Sequence, residues 1–334
     1  MKNLKTTYMG IELENPIILG ACNMSDNIDD LLKAQENGVG AIVYKSFFEE
    51  QVQLERLQLE AKLTQYDNIH PEMITTHPNI QYSDTKKHLV HLRKAKEQLT
   101  VPLIASLNAV NEDSWLEYAK ELAQTGVDGL ELNLYQVPVD FDKEAKEIEN
   151  YQISIVQKIK DQISLPISVK LSSDYTNVLS FIKKLDEIGV DGLVLFNAFF
   201  QPDINIDSMK HKRSYNLSSE GEYRKSLRYS GLLYDNIKAD VCSSRGIFTG
   251  NEVVKHLLSG ATCVQMVSAF YKNGLEQIGV ATKQISDWME EKGFNSIDEF
   301  RGKMSRKNIS PDSMVYKRAQ YVDLLMTSDN IFGE

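Results

Sequence analysis

Eight short apolar runs in this chain of 334 residues end in small or polar side chains that could do chemistry. GAIVYKS (40–46) finishes on Lys45 and Ser46, LIASLN (103–108) on Asn108, and GLELNLY (129–135) carries Asn133 just before Tyr135. ISVKLS (167–172) carries Lys170, GLVLFNA (192–198) carries Asn197, and DVCSSRG (240–246) carries Ser244, Arg245 and Gly246. CVQMVSA (263–269) carries Ser268, and the first run, PIILGAC (16–22), ends on Ala21 and Cys22. Amides, hydroxyls and cations on one rim, with neither carboxylate nor histidine among them, suit an anionic cofactor better than a metal ion. No metal site is expected.

The elements that must hold these residues follow from what lies between them. Each apolar run is followed by a helical pattern, the sequence form of an α/β (β/α)8 TIM barrel, whose chemistry sits at the C-terminal ends of the strands. The even strands are led in by Gly38, Gly126, Gly189 and Gly260, each placed to take the left-handed position that ends a helix. The odd strands begin after Pro16, Pro102 and Pro166, where no ladder donor is lost. Residues 26–38, 113–126 and 176–189 repeat apolar positions at three- and four-residue spacing, with Asp26, Asn111 and Thr176 as N-caps. Three segments exceed the barrel: 47–83 after strand two, 199–226 after strand six, and 301–334 at the end. Insertions of this length serve as lids or interfaces, and the first two fall on the catalytic face. Residues 1–300 are therefore read as the barrel and 301–334 as a C-terminal extension.

A net charge of −10 without a basic stripe argues against a nucleic-acid partner. The three cysteines lack CxxC spacing, so neither a disulfide framework nor zinc is expected, and the cytoplasm is the expected compartment. No run is apolar enough for a signal peptide or a membrane span. A small-molecule substrate and a homodimer are expected.

The turn SSRGIFTGNEVV reads as a phosphate cradle made by backbone N–H groups, Arg245 and the positive end of the next helix. Lys45 and Lys170 end apolar strands and need an anionic partner or a lowered pKa, unless they snorkel to solvent. A ligand anion is the economical partner, since only Glu131, inside strand four, is near. His88, His91 and His256 read as surface or capping residues, His70 and His77 as minor substrate contacts, and Cys242 and Cys263 as small core residues.

VDGLELNLY, ISVKLS, IGVDGLVLFNAF and SSRGIFTGNEVVKHLLSGATCVQMVSAFYKNG together resemble the flavin-dependent dihydroorotate dehydrogenases, class 1-like, and the C-terminal part of dihydropyrimidine dehydrogenase. The likeness runs from NPIILGAC to FNSIDEFRGK, which is similar to the family's last helix. The resemblance implies an FMN-binding barrel that oxidises dihydroorotate to orotate in pyrimidine biosynthesis. It implies that Ala21 and Cys22 lie against the isoalloxazine, that Lys45, Ser46, Asn133 and Lys170 bind its polar edge, and that Lys170 is also catalytic, stabilising the negative charge at flavin N1. It places Gly231, Arg245, Gly246 and Ser268 around the phosphate, and Asn133 and Asn197 on the substrate.

Two departures stand out. The family's base lies in an N-L-S-C-P-N motif, where this chain reads Asn133-Leu134-Tyr135-Gln136-Val137-Pro138. Glutamine cannot take a proton near neutrality, which leaves Tyr135, Cys22 or a residue of the 47–83 loop as substitutes and leads to slow turnover of dihydroorotate. Arg245 stands where the family uses glycine. Alternatives to the oxidoreductase are a non-catalytic flavin-binding homologue and a flavin-free barrel lyase or isomerase on a phosphorylated substrate.

Overall fold

Proline and glycine punctuation sets where each strand starts, and the chain closes on itself accordingly. The computed structural model describes residues 2–51, 54, 83–198, 201–212 and 217–326. After a hairpin of β1 (Thr6–Tyr8) and β2 (Ile11–Leu13) come the barrel strands β3 (Ile17–Leu19) and β4 (Ala41–Val43). A short β5 (Phe47–Phe48) is followed by the barrel strands β6 (Leu103–Asn108), β7 (Gly129–Asn133), β8 (Ile167–Leu171) and β9 (Gly192–Leu195). A second hairpin, β10 (Asp203–Asn205) with β11 (Lys210–Lys212), precedes the barrel strands β12 (Asp240–Ser244) and β13 (Cys263–Met266).

The eight barrel strands are parallel neighbours in chain order, and β13 pairs with β3 to close the ring. All eight apolar runs are thus strands of one closed barrel. The helices outside it are α1 (Ile28–Glu36), α2 (Ser83–Gln98), α3 (Glu112–Ala123), α4 (Ala145–Gln162) and α5 (Val178–Glu187). They continue as α6 (Arg224–Leu233), α7 (Gly250–Ser259), α8 (Ser268–Asn273), α9 (Gln277–Lys292) and α10 (Gln320–Met326). Gly38, Gly126, Gly189 and Gly260 hold φ of +80°, +87°, +79° and +119°, as their positions required.

The barrel is a packed core with a plug at its N-terminal end. Tyr8, Met9 and Leu13 from the first hairpin pack with Ile18, Val43, Ile104, Val194, Cys242 and Cys263 inside the ring. Asp240 fixes the plug by accepting from the Met9 N–H at 2.8 Å. A Cβ on Gly192 would lie 2.9 Å from both Met9 Cγ and the Tyr8 hydroxyl, so the strand's missing side chain is what admits the plug. The plug leaves the C-terminal end of the barrel as the end that opens on a cavity.

Several local expectations are corrected. The side-chain caps of α1 and α5 come from Asn27 and Asn177, one residue after Asp26 and Thr176. Asn111 takes the N-cap position of α3, but its side chain donates to Glu49. His256 is fully buried against Tyr223, and His88 packs edge-on to Tyr44 and Phe47, so neither is a surface residue. FNSIDEF forms a single 3-10 turn, Ile297–Glu299, rather than an α-helix. Residues 301–326 fold back on α6: the Arg306 N–H donates to the Gly231 carbonyl, and the Tyr316 hydroxyl lies where a Cβ on Gly231 would go. His70 and His77 lie outside the described residues.

Candidate functional site

At the C-terminal mouth of the barrel, the strand ends enclose a cavity of about 260 Å³. Ala21, Cys22, Lys45, Ser46, Asn133, Tyr135, Lys170, Asn197, Arg245, Gly246 and Ser268 all line it. A second cavity of about 360 Å³ shares Phe196, Asn197, Ser244 and Arg245 as walls, so the two adjoin along the ends of β9 and β12. Barrel closure explains the convergence, because each of these residues sits at or just beyond a strand end.

The deepest wall is a buried polar network. Asn133 and Lys170 are register partners on β7 and β8. Lys170 Nζ donates to Gln265 Oε1 at 2.9 Å and lies 3.5 Å from Glu131 Oε1. Gln265 in turn donates to Glu131 Oε2 at 2.5 Å. Ser106 donates to Glu131 at 3.4 Å and shares a 2.7 Å hydrogen bond with Ser46. Lys170 is 7% exposed and Glu131 1%, so this pair is held inside the protein rather than in solvent.

The lysines therefore have protein partners, which overturns the idea that a ligand anion must supply them. Glu131 serves Lys170, and Asp26, from the loop after β3, meets Lys45 at 2.8 Å. Asn108 donates to the Asn133 carbonyl at 2.6 Å, and Asn197 donates to Asn133 Oδ1 at 2.8 Å, tying three strand ends together. Burial pushes the Cys22 thiol above its usual range, which keeps it protonated near neutrality.

The turn after β12 is built differently from its expected form. Arg245 has φ +79°, the left-handed region that favours glycine, which accounts for glycine at this place in the resembling family. Its Nε donates to Glu222 Oε2 at 2.5 Å. Just before α7, Glu252 accepts from the N–H groups of Phe248 and Thr249, and the first N–H of the helix, at Gly250, donates to Gln284. Gly231 faces the C-terminal extension and is not part of the cavity wall.

Gln136 is likewise turned away. It accepts from Gln152 Nε2 at 3.1 Å, Gln152 accepts from the Tyr175 hydroxyl at 2.8 Å, and Gln136 lines a separate cavity with Trp115 and Tyr151. Tyr135 borders both cavities. Leu217, Ser218, Gln265 and Tyr271 line the mouth without having been anticipated. A glutamine inside the apolar run CVQM was a readable signal for Gln265. Leu217 and Ser218 belong to the 199–226 insertion, whose length marked it for the catalytic face, but no residue type there marked these two positions.

Residues 3–289 match the family model described as dihydroorotate dehydrogenase. The chain belongs to the dihydroorotate dehydrogenase family. It is 26% identical over 308 residues to the dihydroorotate dehydrogenase B (NAD(+)) catalytic subunit of Thermoplasma acidophilum, covering 90% of this chain and 99% of that one. It is 25% identical over 323 residues to dihydroorotate dehydrogenase A (fumarate) of Lactobacillus delbrueckii subsp. bulgaricus, covering 91% and 99%. Another relative, the B-type catalytic subunit of Methanocaldococcus jannaschii, is 24% identical over 309 residues, covering 90% and 97%. The dihydroorotate dehydrogenase family is one of oxidoreductases, and its matched span contains every residue of the cavity wall. Among the described residues, no helix is long and apolar enough to cross a membrane.

Proposed function

We propose that the chain is an FMN-dependent oxidoreductase that moves two electrons between a small planar ring, of the dihydroorotate kind, and the flavin. The observation that carries this reading is Lys170, a buried ammonium that reaches the cavity between Asn133 and Gln265. The donor chemistry fits FMN. Lys45, Lys170, Asn133 and Asn197 bring cations and amides to the cavity, Ala21, Met266, Val267 and Ile247 supply apolar walls, and Arg245, Gly246 and Ser268 add a guanidinium, a backbone turn and a hydroxyl.

Lys170, Ser46 and Asn133 would hold the polar edge of the ring system, and Arg245 and Ser268 its phosphate. The flavin, when bound, supplies the hydride acceptor or donor. Asn197 and the remaining amide of Asn133 would orient the substrate ring, because their mutual hydrogen bond fixes both planes. Tyr135 is the proton-handling group this geometry favours, since it faces the cavity while Gln136 does not. The dihydroorotate-driven half-reaction is accordingly slow.

Mass spectrometry of ligand released by heat tests the cofactor: FMN is expected, and FAD or no flavin overturns the reading. Anaerobic mixing with dihydroorotate and related dihydropyrimidines then tests the reaction, with bleaching of the flavin as the signal. One observation favours a second reading, a flavin-binding protein without turnover: the residue at the family's base position is a glutamine bonded outside the cavity. Retained FMN that no dihydropyrimidine bleaches would establish it.

A further inference from the structure

We infer that Glu131 is a positioning residue that fixes Lys170 and Gln265 as a donor set beneath the flavin and lowers the flavin's midpoint potential. The inference rests on the FMN reading above. Glu131 sits within an apolar strand at 1% exposure, where a carboxylate is tolerated only if it is fully partnered. Its partners come from both sides of the barrel: Ser106 on β6, Lys170 on β8 and Gln265 on β13.

The arrangement determines which way the Gln265 amide faces. Its oxygen accepts from Lys170 and its nitrogen donates to Glu131. The reversed amide would set NH2 against an ammonium and oxygen against a carboxylate, two repulsive contacts in a dry site. An ammonium has three donors. One goes to Gln265 and one faces Glu131, which leaves the third for a ligand in the cavity that Lys170 lines.

Charge follows the same geometry. Lys170 alone would place a full positive charge beside the ring, whereas Glu131 lies 3.5 Å from that charge and offsets it. Reduction adds negative charge to a flavin, so an anion set behind the cation disfavours the reduced state. The carboxylate thus tunes the potential through Lys170 without touching substrate.

The test is the midpoint potential of the FMN-loaded protein. Glu131→Gln preserves the shape and the contact with Gln265 but removes the charge. Its potential should rise by the equivalent of a tenfold change in the redox equilibrium, ~30 mV for a two-electron couple. Glu131→Asp, whose carboxylate is withdrawn by one methylene, should fall between Glu131→Gln and the wild type. An unchanged potential in a Glu131→Gln protein that retains FMN overturns the inference. So does a folded protein that loses FMN in both variants, since the carboxylate would then serve binding alone. A wild type that releases no FMN removes the cofactor reading itself, and the inference with it.

Discussion

Asn197 donates its amide to the Oδ1 of Asn133 at 2.8 Å, across the end of the strand that carries Lys170. The two residues lie 64 positions apart in sequence. Asn108 holds the Asn133 backbone carbonyl from the other side, at 2.6 Å. Asn133 and Asn197 orient one another, and both line the cavity at the mouth.

That coupling makes Asn197→Ala more damaging than the loss of one contact. It would leave Asn133 Oδ1 without its donor and free the amide plane. The expected loss in kcat/KM for the ring substrate is about 10- to 100-fold, equivalent to ~1–3 kcal/mol for an unpaired polar group. Steady-state kinetics beside flavin content would check it. A drop confined to flavin content would show that the pair serves the cofactor instead.

Of the neighbours Tyr135 and Gln136, only Tyr135 lines the mouth of the barrel, and they should respond differently. Tyr135→Phe should slow dihydroorotate-driven bleaching by about 10²- to 10⁴-fold, the usual contribution of a positioned acid or base. Gln136→Cys should change it little, because that side chain bonds to Gln152 away from the cavity. Stopped-flow measurements on both variants under anaerobic conditions decide the matter. A marked acceleration in Gln136→Cys would mean that the loop after β7 turns over when substrate binds.

Arg245→Gly trades one local term for another. The left-handed φ of +79° costs a side-chain-bearing residue roughly 1–2 kcal/mol. The Glu222 pair, with both side chains about a third exposed, contributes at most ~1 kcal/mol. Folding stability should therefore be unchanged or slightly higher. If the guanidinium also meets the cofactor phosphate, FMN should bind about tenfold more weakly, ~1.4 kcal/mol for a lost charge-assisted contact. Fluorescence titration of the apoprotein with FMN gives the answer, and undiminished affinity would assign Arg245 to Glu222 alone.

His256 makes the fold sensitive to acid. Burial pulls its pKa down from 6.5 to about 3, and neither ring nitrogen has a hydrogen-bond partner among the described residues. Below about pH 6.5 the unfolded chain takes up a proton that the folded chain refuses until about pH 3, so stability falls as pH falls through that window. Each such group contributes up to about 1.4 kcal/mol per pH unit. His88, held down to about 4 chiefly by burial, acts in the same direction over its own window. Urea unfolding across a pH series should show a shallower acid limb for His256→Leu, with stability at neutral pH within about 1.5 kcal/mol of wild type. An identical limb in the variant would place the acid sensitivity elsewhere.

The barrel was legible in the sequence because its signals are local. A glycine past a helix needs only its own φ, a proline at a strand start only its missing donor, and both recur along the chain with each βα unit. Strand ends converge in any closed barrel, so Lys45, Asn133, Lys170, Asn197 and Ser268 could be placed on one rim before their distances were known. What faces what was decided only by closure. Glu131 meets Gln265 across 134 positions of sequence, so the partner of Lys170 depends on β13 sealing the ring. Gln136 turns outward because α4 presents Gln152 to it, and Gly231 is shielded because residues beyond 301 fold back onto α6. Turn chemistry and hydrophobic period act over a few residues and can be read along the chain. The direction of a polar side chain is set by whichever distant group satisfies it once water is excluded, and only the folded structure brings that group into place.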